Sequence, residues 1–183
     1  MNVTKTNKCC EKKVHKSQLL PAGRTCNILG VHIAVTNIHS VMHELTTHLE
    51  SYRGGYVCVS NVHTTVMAHD NPMYCKVQNE SIMAVPDGKP LVFVCHRKGH
   101  PEAERVAGPD LMPALLRLSE KKGYRHFFYG STQETILQLE ENLHERYPKL
   151  EIAGMYSPPF RPLSREEDAA IVDQINATAP DFI

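Results

Sequence analysis

The stretch GYRHFFYGSTQETILQLEENLHERYPKLEIAGMY, residues 123–156, decides the fold class. His126 to Tyr129 is an apolar, aromatic run of strand length. Ser131 with Glu134 has capping-box spacing and starts a helix that Pro148 must end. Leu150 to Met155 is strand-like again. A strand, a helix and a second strand in this order make the crossover unit of a parallel sheet.

The same punctuation extends outward. Upstream, Gly108-Pro109-Asp110 opens a helix carrying Leu111, Leu115, Leu116 and Leu118, and Lys121, Lys122 and Gly123 close it in the order that the helix dipole and a glycine C-cap favour. Downstream, Ser164 with Glu167 starts a further helix, and Ala179-Pro180-Asp181-Phe182-Ile183 reads as the start of a new buried strand. The sequence stops there, so we expect an incomplete domain whose last strand and C-terminal segment are missing.

The first half is less regular. Ile28, Leu29, Val31, Ile33 and Val35 read as one or two short strands, and Ile38, Val41, Met42, Leu45 and Leu49 recur at helical spacing. Tyr56 to Val59 predicts a buried strand, Val62 to about Gln78 one helix, Ile82 to Val85 another strand, and Pro86-Asp87-Gly88 a turn. The expected architecture is α/β: a mainly parallel, Rossmann-like sheet with helices on both faces, spanning residues 25–183. Residues 1–24 hold five Lys and one Arg against Glu11 and predict a flexible basic arm.

Composition narrows the function. With 42% hydrophobic and 22% charged residues the chain is globular rather than disordered. Twenty basic residues balance twenty acidic ones, so no global charge predicts nucleic acid as a partner. No run approaches the roughly 18 apolar residues of a membrane helix, and no apolar signal core follows the basic start, which predicts a cytoplasmic protein. The cysteines Cys9, Cys10, Cys26, Cys58, Cys75 and Cys95 lack C-x-x-C spacing and read as buried free thiols. His39 and His43 share a helix face, but no H-E-x-x-H accompanies them, so we expect no metal site and no cofactor.

In parallel α/β folds ligands bind beyond the carboxyl ends of the strands. Asp87, just after an apolar strand, can present a carboxylate as a general base, although Asp-Gly by itself also makes a plain turn. Arg105, before a helix start, can grip a diphosphate or pair with Glu104 or Asp110 at the surface. Gly130, Ser131 and Thr132 offer backbone N–H groups and hydroxyls at a helix N-terminus, suited either to phosphate or to capping.

Three blocks then occur together: Ser60-Asn61-Val62-His63-Thr64, Val85-Pro86-Asp87-Gly88-Lys89-Pro90-Leu91, and Glu104-Arg105-Val106-Ala107-Gly108-Pro109-Asp110-Leu111-Met112. Their order and spacing resemble the WecG/TagA/CpsF family of bacterial glycosyltransferases, and Tyr147-Pro148 and Ser157-Pro158-Pro159-Phe160-Arg161 fit as well. The resemblance covers about residues 27–183. It implies transfer of N-acetylmannosamine or a related hexose from a UDP-sugar to a sugar on undecaprenyl diphosphate, for teichoic acid, common antigen or exopolysaccharide.

By the same resemblance Asp87 is the base of an inverting displacement, and Arg105 stabilises the departing diphosphate. Asn61, Thr64, Gly88, Asp110, Gly130 and Ser131 line the substrates. A guanidinium can neutralise phosphate charge without a metal. Many members carry Gly-Ile-Gly after the aspartate, where this chain has Gly88-Lys89-Pro90, and members continue past Pro180-Asp181 into a segment that contacts the membrane. The resemblance therefore implies a peripheral protein of the inner membrane face, with oligomers possible. A reading of a different class remains beside it, a non-catalytic module that binds a nucleotide-sugar or phosphate.

Overall fold

A computed structural model of the chain describes residues 23–183. β1 (Thr25–Ile28) and β2 (Val31–Ala34) form an antiparallel hairpin in the register Thr25↔Ala34 to Ile28↔Val31. Its two-residue turn puts Leu29 at φ 52° and Gly30 at φ 95°, the positive values that a tight hairpin of this length requires. Asn27 Oδ1 accepts from the Gly30 N–H at 3.1 Å and holds the turn. Leucine is an uncommon residue in the left-handed region, where its Cβ crowds the backbone. The Arg24 carbonyl accepts from Val35 N at 2.8 Å, so hairpin bonding extends to Arg24. Residues 1–22 of the expected arm, with Cys9 and Cys10, lie outside the described residues.

After α1 (Ile38–Thr47) and β3 (Val57–Ser60) come α2 (Val62–Asp70) and α3 (Pro72–Glu80), where the periodicity predicts one helix. The break falls at Asn71-Pro72. Asn71 is extended (φ −129°, ψ 103°), as the residue before proline prefers, and its side chain accepts from Met73 N and Tyr74 N to start the second helix. β4 (Met83–Pro86) leads into α4 (Lys89–Arg97), a helix that follows the turn expected at Pro86-Asp87-Gly88. Pro90 within the first turn of α4 is its start signal in the sequence. There follow α5 (Gly108–Lys122), β5 (Arg125–Tyr129), α6 (Gln133–Arg146), β6 (Glu151–Tyr156) and α7 (Arg165–Ala177).

The strands form two sheets rather than one. The first has the order β1-β2-β4-β3, with β4 parallel to both β2 and β3 and with β1 as the antiparallel edge. The second pairs β5 with β6 in parallel. β4, buried at all four positions, has a parallel neighbour on each side. β3 is an edge strand, which is why Val59 is exposed where a fully buried strand is expected. Alternate residues of the first sheet feed separate cores. Ile33 and Ala84 pack with Ala68 of α2 and with Leu91 and Cys95 of α4, whereas Ala34, Met83 and Val85 pack with Val41 and Leu45 of α1. Helices thus cover both faces, as the period-two pattern of strands demands.

α5 belongs to both halves. Leu111 joins the α1 core, and Leu116, less than two turns on, packs with Leu143 of α6 and with Leu150. Buried His126 of β5 shares a hydrogen bond of 2.7 Å with Ser119 of α5. The anticipated terminal strand is present as a parallel bridge of Phe182 to His126, with Phe127 N donating to the Phe182 carbonyl at 2.8 Å. Because His126 also pairs with Ile152, Phe182 occupies the other edge of β5.

Among the described cysteines Cys26 and Cys95 are buried free thiols, whereas Cys58 and Cys75 are only half-buried. Burial pushes the Cys95 thiol up to about 12, with the neighbouring Cys26 thiol adding to the shift.

Candidate active site

The parallel register Ser60↔Pro86 brings the carboxyl ends of β3 and β4 together, and Asp87 N donates to the Ser60 carbonyl at 2.8 Å. Ser60 is fixed in turn, because its buried hydroxyl donates to Gln78 Oε1 at 2.6 Å and Gln78 Nε2 donates to Tyr74 OH at 3.0 Å. This pair anchors α3 beneath the site. Sequence reasoning missed it, since a Ser and a Gln eighteen residues apart carry no local signal.

Asn61 is the N-cap of α2. Its Oδ1 accepts from Thr64 N at 3.0 Å, and Thr64 Oγ1 accepts from Asn61 N at 3.0 Å, a reciprocal capping box. Both residues named as substrate contacts therefore have structural work first. The amide NH2 of Asn61 makes no intramolecular hydrogen bond among the described residues, which leaves it as a donor.

Gly88 is the N-cap of α4 and supplies no side-chain hydrogen bond. Its φ of −108° suits any residue, and a Cβ there would meet only Pro90 Cδ at 3.4 Å. The fold itself does not demand glycine at this position.

The loop after α4 is tied down on either side of Arg105, by Glu104 N to the Thr36 carbonyl at 2.9 Å and Val106 N to the Pro86 carbonyl at 2.8 Å. Arg105 Nε donates to the Asp87 carbonyl at 2.9 Å, Nη1 to Asp110 Oδ2 at 2.9 Å, and Nη2 lies 3.9 Å from Asp87 Oδ1. Asp110 sits in the first turn of α5, whose N-cap Ala107 has no side-chain cap. The surface pair with Asp110 that the sequence left open for Arg105 is thus real, and the same guanidinium also reaches Asp87. One cluster holds two carboxylates and a guanidinium between the uncapped N-termini of α4 and α5. Chemically, it can accept a proton at Asp87 while Arg105 and free N–H groups face an anion.

Gly130 (φ 128°) and Ser131 (φ 62°) lie at the carboxyl end of β5, in the second sheet. Gly130 N donates to the Tyr156 carbonyl at 3.0 Å, and Ser157 Oγ to the Ser131 carbonyl at 2.8 Å. Ser131 does not cap α6. Thr132 does, accepting from Thr135 N, because the left-handed Ser131 carries the chain one residue further before the helix begins. No hydrogen bond or ion pair among the described residues joins Gly130 or Ser131 to the Asp87–Arg105 cluster. Beside them the rings of Tyr129 and Tyr156 stack at 6.1 Å. His39 and His43 are both exposed, and no group of three or more potential metal ligands occurs among the described residues.

Fold and site together define an α/β protein whose ionisable groups gather beyond the carboxyl ends of two adjacent parallel strands, the ligand position of this fold class. Residues 26–183 match the model of the glycosyl transferase WecG/TagA/CpsF family, and the chain belongs to that family. A Bacillus spizizenii protein named N-acetylglucosaminyldiphosphoundecaprenol N-acetyl-beta-D-mannosaminyltransferase is 34% identical over 143 residues, 78% of this chain and 54% of the relative. A Staphylococcus aureus protein of the same name is 26% identical over 159 residues, 86% of this chain and 61% of the relative. The chain thus spans little more than half the length of these relatives. No helix among the described residues is long and apolar enough to cross a membrane.

Proposed function

We propose that this chain carries the catalytic centre of an inverting glycosyltransferase, with a UDP-hexose, N-acetylmannosamine or a related sugar, as donor and a sugar on a polyprenyl diphosphate as acceptor. The observation that supports it most is the direct contact of Arg105 with Asp87, which joins a base and an anion grip at one strand end. The relatives' names supply the acceptor class.

In the reaction the acceptor hydroxyl oxygen attacks the anomeric carbon while its proton passes to the Asp87 carboxylate. The bond from that carbon to the diphosphate oxygen breaks, and UDP departs with the electron pair. Arg105 and the Gly108 N–H at the start of α5 balance the charge that develops on the leaving group. Asn61 donates to a substrate oxygen, and Gly88 leaves the approach to α4 free of a side chain. Asp110 orients Arg105. Gly130 and Ser131 contact the donor nucleotide. The lipid acceptor requires the protein to work at the inner membrane face.

The test is transfer from a panel of UDP-sugars to a short-chain lipid-diphosphate sugar, with Asp87→Asn beside the unaltered chain. Turnover lost in the variant, with donor binding retained, supports the base. Donor binding without turnover in either form would replace this reading with that of a binding module.

A further inference from the structure

Ser60 ends β3, and two groups of the candidate site depend on where it stands. Its carbonyl accepts from Asp87 N at 2.8 Å, and Asn61, whose amide NH2 is left as a donor, follows it directly. The Ser60 side chain is 0% exposed and donates to Gln78 Oε1 at 2.6 Å, on a residue itself only 4% exposed. β3 is an edge strand with β4 beside it, so within the described sheet no second strand steadies its carboxyl end.

The helix that carries Gln78 is fixed independently of this bond. Asn79 Nδ2 donates to the Gly30 carbonyl at 2.9 Å, and Asn79 Oδ1 accepts from His32 N at 2.9 Å, which ties α3 to the β1–β2 hairpin. Tyr56 OH donates to the Val77 carbonyl at 2.7 Å. Gln78 Nε2 donates to Tyr74 OH at 3.0 Å, so the Gln78 amide is held from its other end as well. Support therefore runs from α3 through Gln78 to Ser60, and from the Ser60 carbonyl to Asp87.

Stability alone does not call for a polar pair here. The net gain from a buried hydrogen bond is small, and two apolar side chains of the same shape in its place are nearly neutral. What the pair supplies is a set distance and direction, where apolar contacts tolerate sliding. We infer that Ser60 and Gln78 are positioning residues, which fix the carboxyl end of β3 and, through the Ser60 carbonyl, the place of Asp87 against the acceptor hydroxyl. The inference rests on the base proposed above.

The test compares the full chain with Ser60→Ala, Gln78→Met and the double variant. Three quantities are read: the thermal melt, steady-state transfer with kcat and donor KM separated, and hydrogen exchange at the Asp87 amide. Each single change leaves a buried polar atom without its partner and lowers the melting temperature. The double change removes both polar groups and recovers most of that loss. A plain anchor would recover transfer along with the melt. Positioning instead keeps kcat of the double variant about 10- to 100-fold down at unchanged donor KM, the scale of a small misplacement. The Asp87 amide then exchanges about tenfold faster.

A double variant with the kcat of the unaltered chain, or with unchanged protection at Asp87, overturns the inference and leaves the pair as an anchor of α3. If the double variant melts as low as the single ones, Tyr74→Phe carries the same comparison, because it frees the Gln78 amide at a half-buried position without emptying the core. Exchange at Asp87 needs no turnover. A chain that transfers nothing, or transfers equally well as Asp87→Asn, sinks the base reading alone, while lost protection in the double variant still shows that the pair holds Asp87 in place.

Discussion

Arg105 Nε donates to the main-chain carbonyl of Asp87 at 2.9 Å, across eighteen residues of sequence, while its Nη1 holds Asp110 at the start of α5. One guanidinium thereby fixes the position of the proposed base and the entrance to a helix. Only a planar fork of several donors can make both bonds at once.

For that reason Arg105→Lys is expected to keep the charge and lose the arrangement. Transfer should fall about 10²-fold, in the range seen when one charge-stabilising donor is removed. Stability should change by less than about 1 kcal/mol, because the ion pairs are largely exposed. Steady-state kinetics with a parallel thermal melt measure the two; equal activity of Lys and Arg would remove the positioning role.

Asn61 carries two expected roles that substitution separates. Asn61→Ala removes the α2 cap and should cost about 1 kcal/mol, whereas Asn61→Asp keeps a cap of similar strength. Should the amide also meet a substrate, Asn61→Asp will melt like the unaltered chain and lose about tenfold in activity through lost donation and added negative charge. Full activity in Asn61→Asp would reduce the residue to a cap.

Gly154 lies opposite Phe127 in the β5–β6 register, and a Cβ there would come within 2.6 Å of the Phe127 ring. Phe127 is buried, so the ring has little room to yield. Gly154→Ala is expected to destabilise by about 1–3 kcal/mol through overpacking, read as a drop of several degrees in the melting temperature. An unchanged melt would mean that the ring is free to move.

His126 gives the second sheet a pH dependence. Burial lowers its pKa from 6.5 to about 4, against a smaller opposing pull from Asp181. The unfolded chain therefore binds a proton at a higher pH than the folded one. The contribution is neutral above about 6.5, and stability falls by up to about 1.4 kcal/mol per pH unit between there and about 4. Urea titrations across that window, with His126→Phe as reference, test it. The substitution should flatten the slope, and Ser119 keeps a partner in the Leu115 carbonyl.

Much of this was legible in one dimension because it rests on local rules. The capping box of α7, the glycine that ends α5 and the apolar periods of β4 to β6 all act within a few positions. The family resemblance stood on the blocks around Asn61, Asp87 and Arg105, and residues 26–183 bear it out. Misread elements had competing local signals: Asn71-Pro72 divided one period into two helices, and the left-handed Ser131 moved a cap by one residue.

The sequence by itself determined the alternating elements and the residues able to do chemistry, since backbone periodicity and side-chain pKa classes are properties of the chain. Only the tertiary structure decided that the strands divide into two sheets and that Asp87 and Arg105 touch. Those facts depend on which distant strands share hydrogen bonds, a choice made by burial of whole faces at once.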